Sequence, residues 1–155
     1  MLSLQEISDR FEIQDLLYRY ADCIDRRDFD ALTDVFTADA HIDYSVYGGA
    51  VGNPAEIIDF LKKALGGGFK AYQHLNANLH VQLQGDTATG RIMCFNPQEL
   101  KLGKGKTHLF MLGLWYRDQY VRTPQGWRIQ QRVEEKSWAF NLPDFMNFDE
   151  QSQPV

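Results

Sequence analysis

IQDLLYRYADCIDRRDFDALTDVFTADAHIDY, residues 13–44, packs a helix, a second short helix and the start of a strand into one unbroken run. Ile13, Leu16, Leu17, Tyr20 and Ile24 recur at helical spacing while Glu12, Asp15, Arg19 and Asp22 gather on another side. This pattern predicts a helix with a wide buried face from about Ser3 to Arg26. Asp28 is a candidate cap for a second helix through Phe36, with Phe29, Leu32, Val35 and Phe36 as its apolar positions. From Ala40 to Tyr47 the period changes to two: Ile42, Tyr44 and Val46 alternate with His41, Asp43 and Ser45, the mark of a strand.

Downstream, Asn53, Pro54 and Glu56 form a strong helix start, since Asn can cap, Pro suits the first turn and Glu can close a capping box. Ile57, Ile58, Phe60, Leu61 and Leu65 give this third helix its apolar positions, and Gly66, Gly67 and Gly68 stop it. Those glycines are not read as a phosphate loop, because no GK[ST] follows. Four longer strands are predicted over residues 70–84, 87–95, 107–122 and 127–138, with turns at Gly85-Asp86 and at Thr123 to Gly126. Asn96 to Lys106 reads as a longer connection. Residues 141–155 read as a tail that carries Phe145, Met146 and Phe148 and either covers a cavity or contacts another subunit. Helices gathered ahead of antiparallel strands imply an α+β domain over residues 1–140: a curved, mainly antiparallel sheet wrapped around three N-terminal helices, cone-shaped with an internal pocket.

Composition narrows the function. A net charge of −5, from 16 basic and 21 acidic residues, gives no electrostatic footprint for nucleic acid or an anionic membrane. Cys23 and Cys94 are too few and too far apart for a disulfide framework or a CxxC motif, and no cluster of ligand-type residues supports a metal site. No apolar run reaches transmembrane length and the first ten residues lack the features of a signal peptide, so a cytoplasmic location is expected.

The candidate chemistry lies in two titratable residues at positions where charge is unwelcome. At about 100° per residue, Asp25 lies in line with Ile7 and Tyr18 and away from Asp15, Arg19 and Asp22, which points it inward near the end of the first helix. Such an acid is opposed by the helix dipole and needs a partner. Simple alternation places His74 with Asn76, Asn78, His80 and Gln82 on a polar strand face; a bulge that reverses the parity would turn it inward. Tyr44 shares a face with Ile42 and Val46 and offers a hydroxyl for a developing oxyanion. Phe95, Phe110 and Leu112 suggest an apolar pocket wall, suited to a small, largely apolar or aromatic substrate.

Three segments carry a family resemblance: residues 13–44 as quoted, YQHLNANLHVQLQGDTATGR at 72–91 and YVRTPQGWRI at 120–129. Over about Leu4 to Trp138 the chain resembles the nuclear transport factor 2-like superfamily, in particular its SnoaL-like branch. Scytalone dehydratase and hexachlorocyclohexane dehydrochlorinase look most similar within it. The dehydratase pattern is matched by Asp25, Asp28-Phe29-Asp30 and Ile42-Asp43-Tyr44, and the dehydrochlorinase His-x-x-x-Asn-Leu strand by His74, Asn78 and Leu79. Arg122 resembles an arginine of the dehydrochlorinase pocket. The second dehydratase histidine falls on or beside Pro97, its tyrosine next to the helix Asp on Ile24, its strand Ser and Asn near Phe110 and Leu112, and the dehydrochlorinase lysine on Tyr20.

The resemblance implies a cofactor-independent lyase in which an Asp25–His74 dyad acts with Tyr44, while Arg122, Tyr18, Phe95, Phe110 and Leu112 contact a small-molecule substrate. It also leaves two alternatives, a proton-shuttling isomerase or polyketide cyclase, and a non-catalytic subunit like the small subunit of ring-hydroxylating oxygenases. A homo-oligomer is expected from relatives and from the long apolar strands, with a trimer favoured over a dimer.

Overall fold

A computed structural model describes residues 1–146. Helix α1 spans Leu4–Asp25, opened by a capping box in which Ser3 Oγ accepts from the Glu6 amide and the Glu6 carboxylate accepts from the Ser3 amide. Its buried stripe is the predicted one, with Ile13, Leu16, Leu17, Tyr20 and Ile24 all at or below 2% exposure. The second helix is shorter than expected: Asp28 makes no side-chain cap, and a 3₁₀ turn covers Phe29–Asp34. Strand β1 starts early, at Phe36, and ends at Asp43. Beyond it Ser45–Tyr47 forms a 3₁₀ turn rather than more strand, because the Gly49 amide folds back onto the Tyr44 carbonyl at 2.9 Å. A Cβ at Gly49 would meet that carbonyl oxygen at 2.6 Å, so the turn requires glycine. After β2 (Val51–Gly52), the Asn53 capping box starts α2, Pro54–Leu65.

The remaining strands are β3 (Phe69–Tyr72), β4 (Leu75–Gln84), β5 (Thr87–Gly103), β6 (Lys106–Thr123) and β7 (Gly126–Phe140). They form one curved sheet in the order β2-β1-β7-β6-β5-β3, with β4 also paired to β5; every pair is antiparallel except β1 with β7. Its concave side packs on α1 and α2.

Residues 96–103, expected to be a connection, continue β5 instead. The edge strand facing them is what breaks: β3 and β4 run along the same side of β5 and are interrupted at Gln73 and His74. Pro97 explains the position of this break. Its carbonyl accepts from the Gln73 amide at 3.1 Å, but proline has no N–H to return, so the ladder cannot close there. The Asn96 side chain supplies the missing donor, with Nδ2 donating to the Gln73 carbonyl at 2.8 Å.

Two bulges then reverse side-chain parity. On β4, Ala77 pairs with Met93 and His80 with Arg91, so Asn78 and Leu79 together oppose one residue, with Asn78 in left-handed backbone at φ 53°. Before it Asn76 points inward; after it Val81 does. On β7, Gln131 pairs with Gln119 but Ile129 with Tyr120, leaving Gln130 as the extra residue. Trp127 and Ile129 are buried on one side of it and Arg132 on the other.

Asn78 tolerates its conformation better than any β-branched residue would. Asn78→Val is expected to lower unfolding free energy by roughly 1–2 kcal/mol in urea titration, whereas Asn78→Gly stays near wild type. Equal stability of the two variants would contradict the bulge's role.

Candidate active site

The sheet, α2 and the Tyr44–Gly49 turn enclose a cavity of about 620 Å³. Most of its lining is apolar, including Ile24, Phe60, Leu61, Phe69, Leu112 and Leu114. Its polar groups are His74, Asn96, Gln98, Glu134 and the tyrosines Tyr20, Tyr44, Tyr47 and Tyr116. Phe145 and Met146, from the described part of the tail, stand at its rim; Phe148 lies outside the described residues.

His74 sits in the break between β3 and β4, and this frees its backbone N–H from the sheet. Asp25 takes both groups that His74 offers: Oδ2 accepts from the His74 amide at 3.0 Å and Oδ1 meets Nδ1 at 2.7 Å. An ionised carboxylate only accepts, so the proton lies on Nδ1 and the other ring nitrogen, Nε2, is left as the basic one. Tyr20 and Tyr72 stand edge-on to the imidazole, with ring centroids at 6.5 and 6.3 Å. Asn76, two residues on, anchors the segment to the helix by donating to the Leu17 carbonyl at 3.2 Å. The His74 side chain is 10% exposed and that of Asp25 23%.

Tyr44 is buried, and its hydroxyl lies 2.7 Å from that of Tyr20. Tyr116 packs edge-on to Tyr20 at 5.6 Å. Burial pushes all three phenols up, Tyr20 to about 12, and the nearby Arg132 only partly opposes this for Tyr20 and Tyr44. They are therefore neutral hydrogen-bond donors. Arg132 itself is sandwiched between the Tyr20 and Tyr116 rings, 4.0 and 4.1 Å from their centroids, and forks onto Asp118 at 2.8 and 2.7 Å. Both members of that pair are fully buried.

Glu134 was not anticipated, because alternation counted from Trp127 and Ile129 turns it outward; the Gln130 bulge turns it in. Its partial exposure is to the cavity it lines, and burial pushes its carboxyl up to about 8, with Arg132 drawing it down and Asp43 adding to the rise. Its neighbour Glu135 faces outward instead, paired with Arg91 at 2.9 Å.

Of the expected substrate contacts, Leu112 lines the cavity and Phe110 is fully buried behind the lining residue Phe69, ring centroids 6.4 Å apart. Three lie elsewhere. Tyr18 is 46% exposed and bonded to Gln14, since the buried stripe of α1 passes through Leu17 and Tyr20 rather than along the line through Ile7. Phe95 points to the outer sheet face against Trp138, at 5.9 Å, because Cys94 and Asn96 take the inward positions. Arg122 serves a different site: it donates to Asp9 at 2.7 Å and Asp86 at 2.9 Å and lies over Trp127. Asp9 is most of a helix length from Asp25, about 24 Å along α1.

Among the described residues no three His, Cys, Asp or Glu side chains are grouped to hold a metal ion, and no helix is long and apolar enough to cross a membrane.

A family model of the SnoaL-like domain matches residues 5–133. The chain belongs to the SnoaL-like family. An uncharacterised protein of Mycobacterium tuberculosis is 48% identical over 136 residues, covering 88% of this chain and 90% of its own. Solved structures share this fold, and two illustrate it. A Novosphingobium aromaticivorans protein assigned as a scytalone dehydratase has 17% identity and a TM-score of 0.77, covering 88% of this chain and 89% of its own. A hexachlorocyclohexane dehydrochlorinase of Novosphingobium barchaimii has 18% identity and a TM-score of 0.77, covering 91% and 94%. The SnoaL-like chain thus has the expected α+β cone, with an open, mostly antiparallel sheet.

The raised Glu134 carboxyl has a consequence for stability. An acid whose folded value exceeds its unfolded one stabilises most below the unfolded value and loses that contribution as pH climbs through the folded one. The melting temperature of wild type relative to Glu134→Gln should therefore fall between about pH 4.5 and about pH 8 and then level off. Thermal melts across this range check it, and a pH-independent difference would contradict it.

Proposed function

We propose that this SnoaL-like protein is a cofactor-independent lyase of the scytalone dehydratase type. It eliminates water or another leaving group from a small, largely apolar or aromatic substrate. The observation that carries this reading is the double hold of Asp25 on His74 beside an apolar cavity. Orientation by a carboxylate fixes the tautomer of an imidazole and supports the imidazolium that forms when it takes a proton.

In this reading His74 Nε2 removes a proton from the carbon next to a carbonyl, and Asp25 stabilises the resulting cation. The Tyr44 hydroxyl, itself able to accept from Tyr20, donates to the developing oxyanion. Leu112, Leu114 and Phe69 surround the substrate with apolar surface and keep competing water low. Dehydratase and dehydrochlorinase neighbours in fold are compatible with this chemistry, though fold alone does not select it.

A suitable probe is the aldol of benzaldehyde and acetone, whose dehydration to benzylideneacetone is followed by ultraviolet absorbance. His74→Ala and Asp25→Asn should each lower turnover by about 10²–10⁴-fold with unchanged circular dichroism. Full activity in either variant would remove the dyad from the mechanism.

Self-association is part of the proposal. The outer sheet face leaves Leu75, Leu109, Trp138 and Phe140 between 44% and 61% exposed, and such a surface favours cover by another copy. Light scattering on the eluting protein is expected to give a trimeric mass in preference to a dimeric one. A monomer at all concentrations would contradict it.

A further inference from the structure

We propose that Glu134 is the acid of the reaction, entering the cycle protonated and giving its proton to a departing hydroxyl, which makes the substrate class a β-hydroxy carbonyl compound rather than a halide. The proposal rests on the lyase reading above and adds the identity of the leaving group.

Geometry supports it first. The Gln130 bulge on β7 turns Arg132 and Glu134 to the concave side together, and Glu134 reaches the same cavity that His74 lines. The two are linked by a row of phenols: Tyr20 stands edge-on to His74 and to Tyr116, and Tyr116 is the cross-strand partner of Glu134 on β6. A substrate lying along Tyr20 and Tyr116 would meet a base at one end and a carboxyl at the other.

Burial favours the protonated form of that carboxyl. From its own strand it faces Arg132, whose Nε and Nη2 donate to Asp118 while the buried Nη1 has no hydrogen-bond partner among the described residues, and this cation draws the carboxyl down without cancelling the effect of burial. The Asp43 carboxylate on the parallel neighbour β1 disfavours a second negative charge nearby. Tyr116, Tyr20 and Tyr44 are the other titratable groups facing it, with Cys94 on β5. Burial raises each of these, so none ionises near neutral pH.

The chemistry gives this acid a specific use. Hydroxide is a poor leaving group and needs a proton as the carbon–oxygen bond breaks, whereas chloride departs as the anion. In the step, His74 Nε2 takes the proton from carbon and the released electron pair forms the carbon–carbon double bond. The carbon–oxygen pair leaves with oxygen, which takes the Glu134 proton and departs as water. The imidazolium then loses its proton to solvent and the Glu134 carboxylate regains one, so the cycle closes without a cofactor.

The test compares the benzaldehyde–acetone aldol with its counterpart in which chlorine replaces the hydroxyl. Glu134→Gln should lower the ratio of water elimination to hydrogen chloride elimination by about 10²-fold or more. His74→Ala should depress both reactions, which separates failure of the dyad from failure of the acid. Water elimination by wild type should also fall as pH rises through about 8, a limb missing from the chloride reaction. An unchanged ratio in Glu134→Gln overturns the proposal. Infrared difference spectra give a readout that needs no turnover: a protonated carboxyl stretch at neutral pH in wild type, absent from Glu134→Gln. Lack of that band in wild type overturns the proposal as well.

Discussion

The carboxylate of Asp25 stands at the C-terminal end of α1, where the helix dipole opposes it and the last turn carries no basic residue. What holds it is His74, through the amide at 3.0 Å and the ring at 2.7 Å. This two-point contact ties the main helix to the sheet edge and sets the imidazole tautomer. It exists only because the edge strand is broken at that point. An unbroken strand would commit the His74 amide to a ladder hydrogen bond and carry its ring along the sheet surface. Pro97, by lacking an N–H, opens the gap, and Asn96 satisfies the carbonyl that Pro97 leaves without a donor.

The other constraint on the cavity is a pair of bulges. Each inserts one residue, and each exchanges the inward and outward faces of the strand that follows. The one at Asn78 lets His74 and Asn76 point inward while Val81 still reaches the core. The one at Gln130 does the same for Arg132 and Glu134 after Trp127 and Ile129. Polar residues thus enter a cone whose inward positions are mostly apolar. Arg132 is held by Asp118 through Nε and Nη2 and by two aromatic rings, while its buried Nη1 has no hydrogen-bond partner among the described residues.

These devices also explain what the sequence made legible. The apolar stripe of α1, the Asn53 capping box and the Thr123–Gly126 turn are local signals, and each lies where its residues place it. The strand parity of His74 is not local: alternation puts it on the polar face, and only the unpaired Asn78 reverses this. Family resemblance supplied the inward His74 that periodicity did not. For the arginines the same difficulty had the opposite result. Arg122 sits in a matching motif yet serves Asp9 at the far end of α1, while Arg132, hidden by the Gln130 bulge, is the arginine among the cavity tyrosines. Tyr18 and Tyr20 differ by two positions on a helix, enough to move one ring from solvent to the cavity wall.

In the proposed reading the cavity has one imidazole as its base, with phenols and the Glu134 carboxyl as its donors. The proposed proton removal from carbon can be isolated from any departing group. Benzylacetone is the aldol without its hydroxyl, and proton NMR in heavy water follows exchange at the carbons beside its carbonyl. Exchange accelerated by wild type and lost in His74→Ala is expected, and equal exchange in the two proteins would contradict a His74 base.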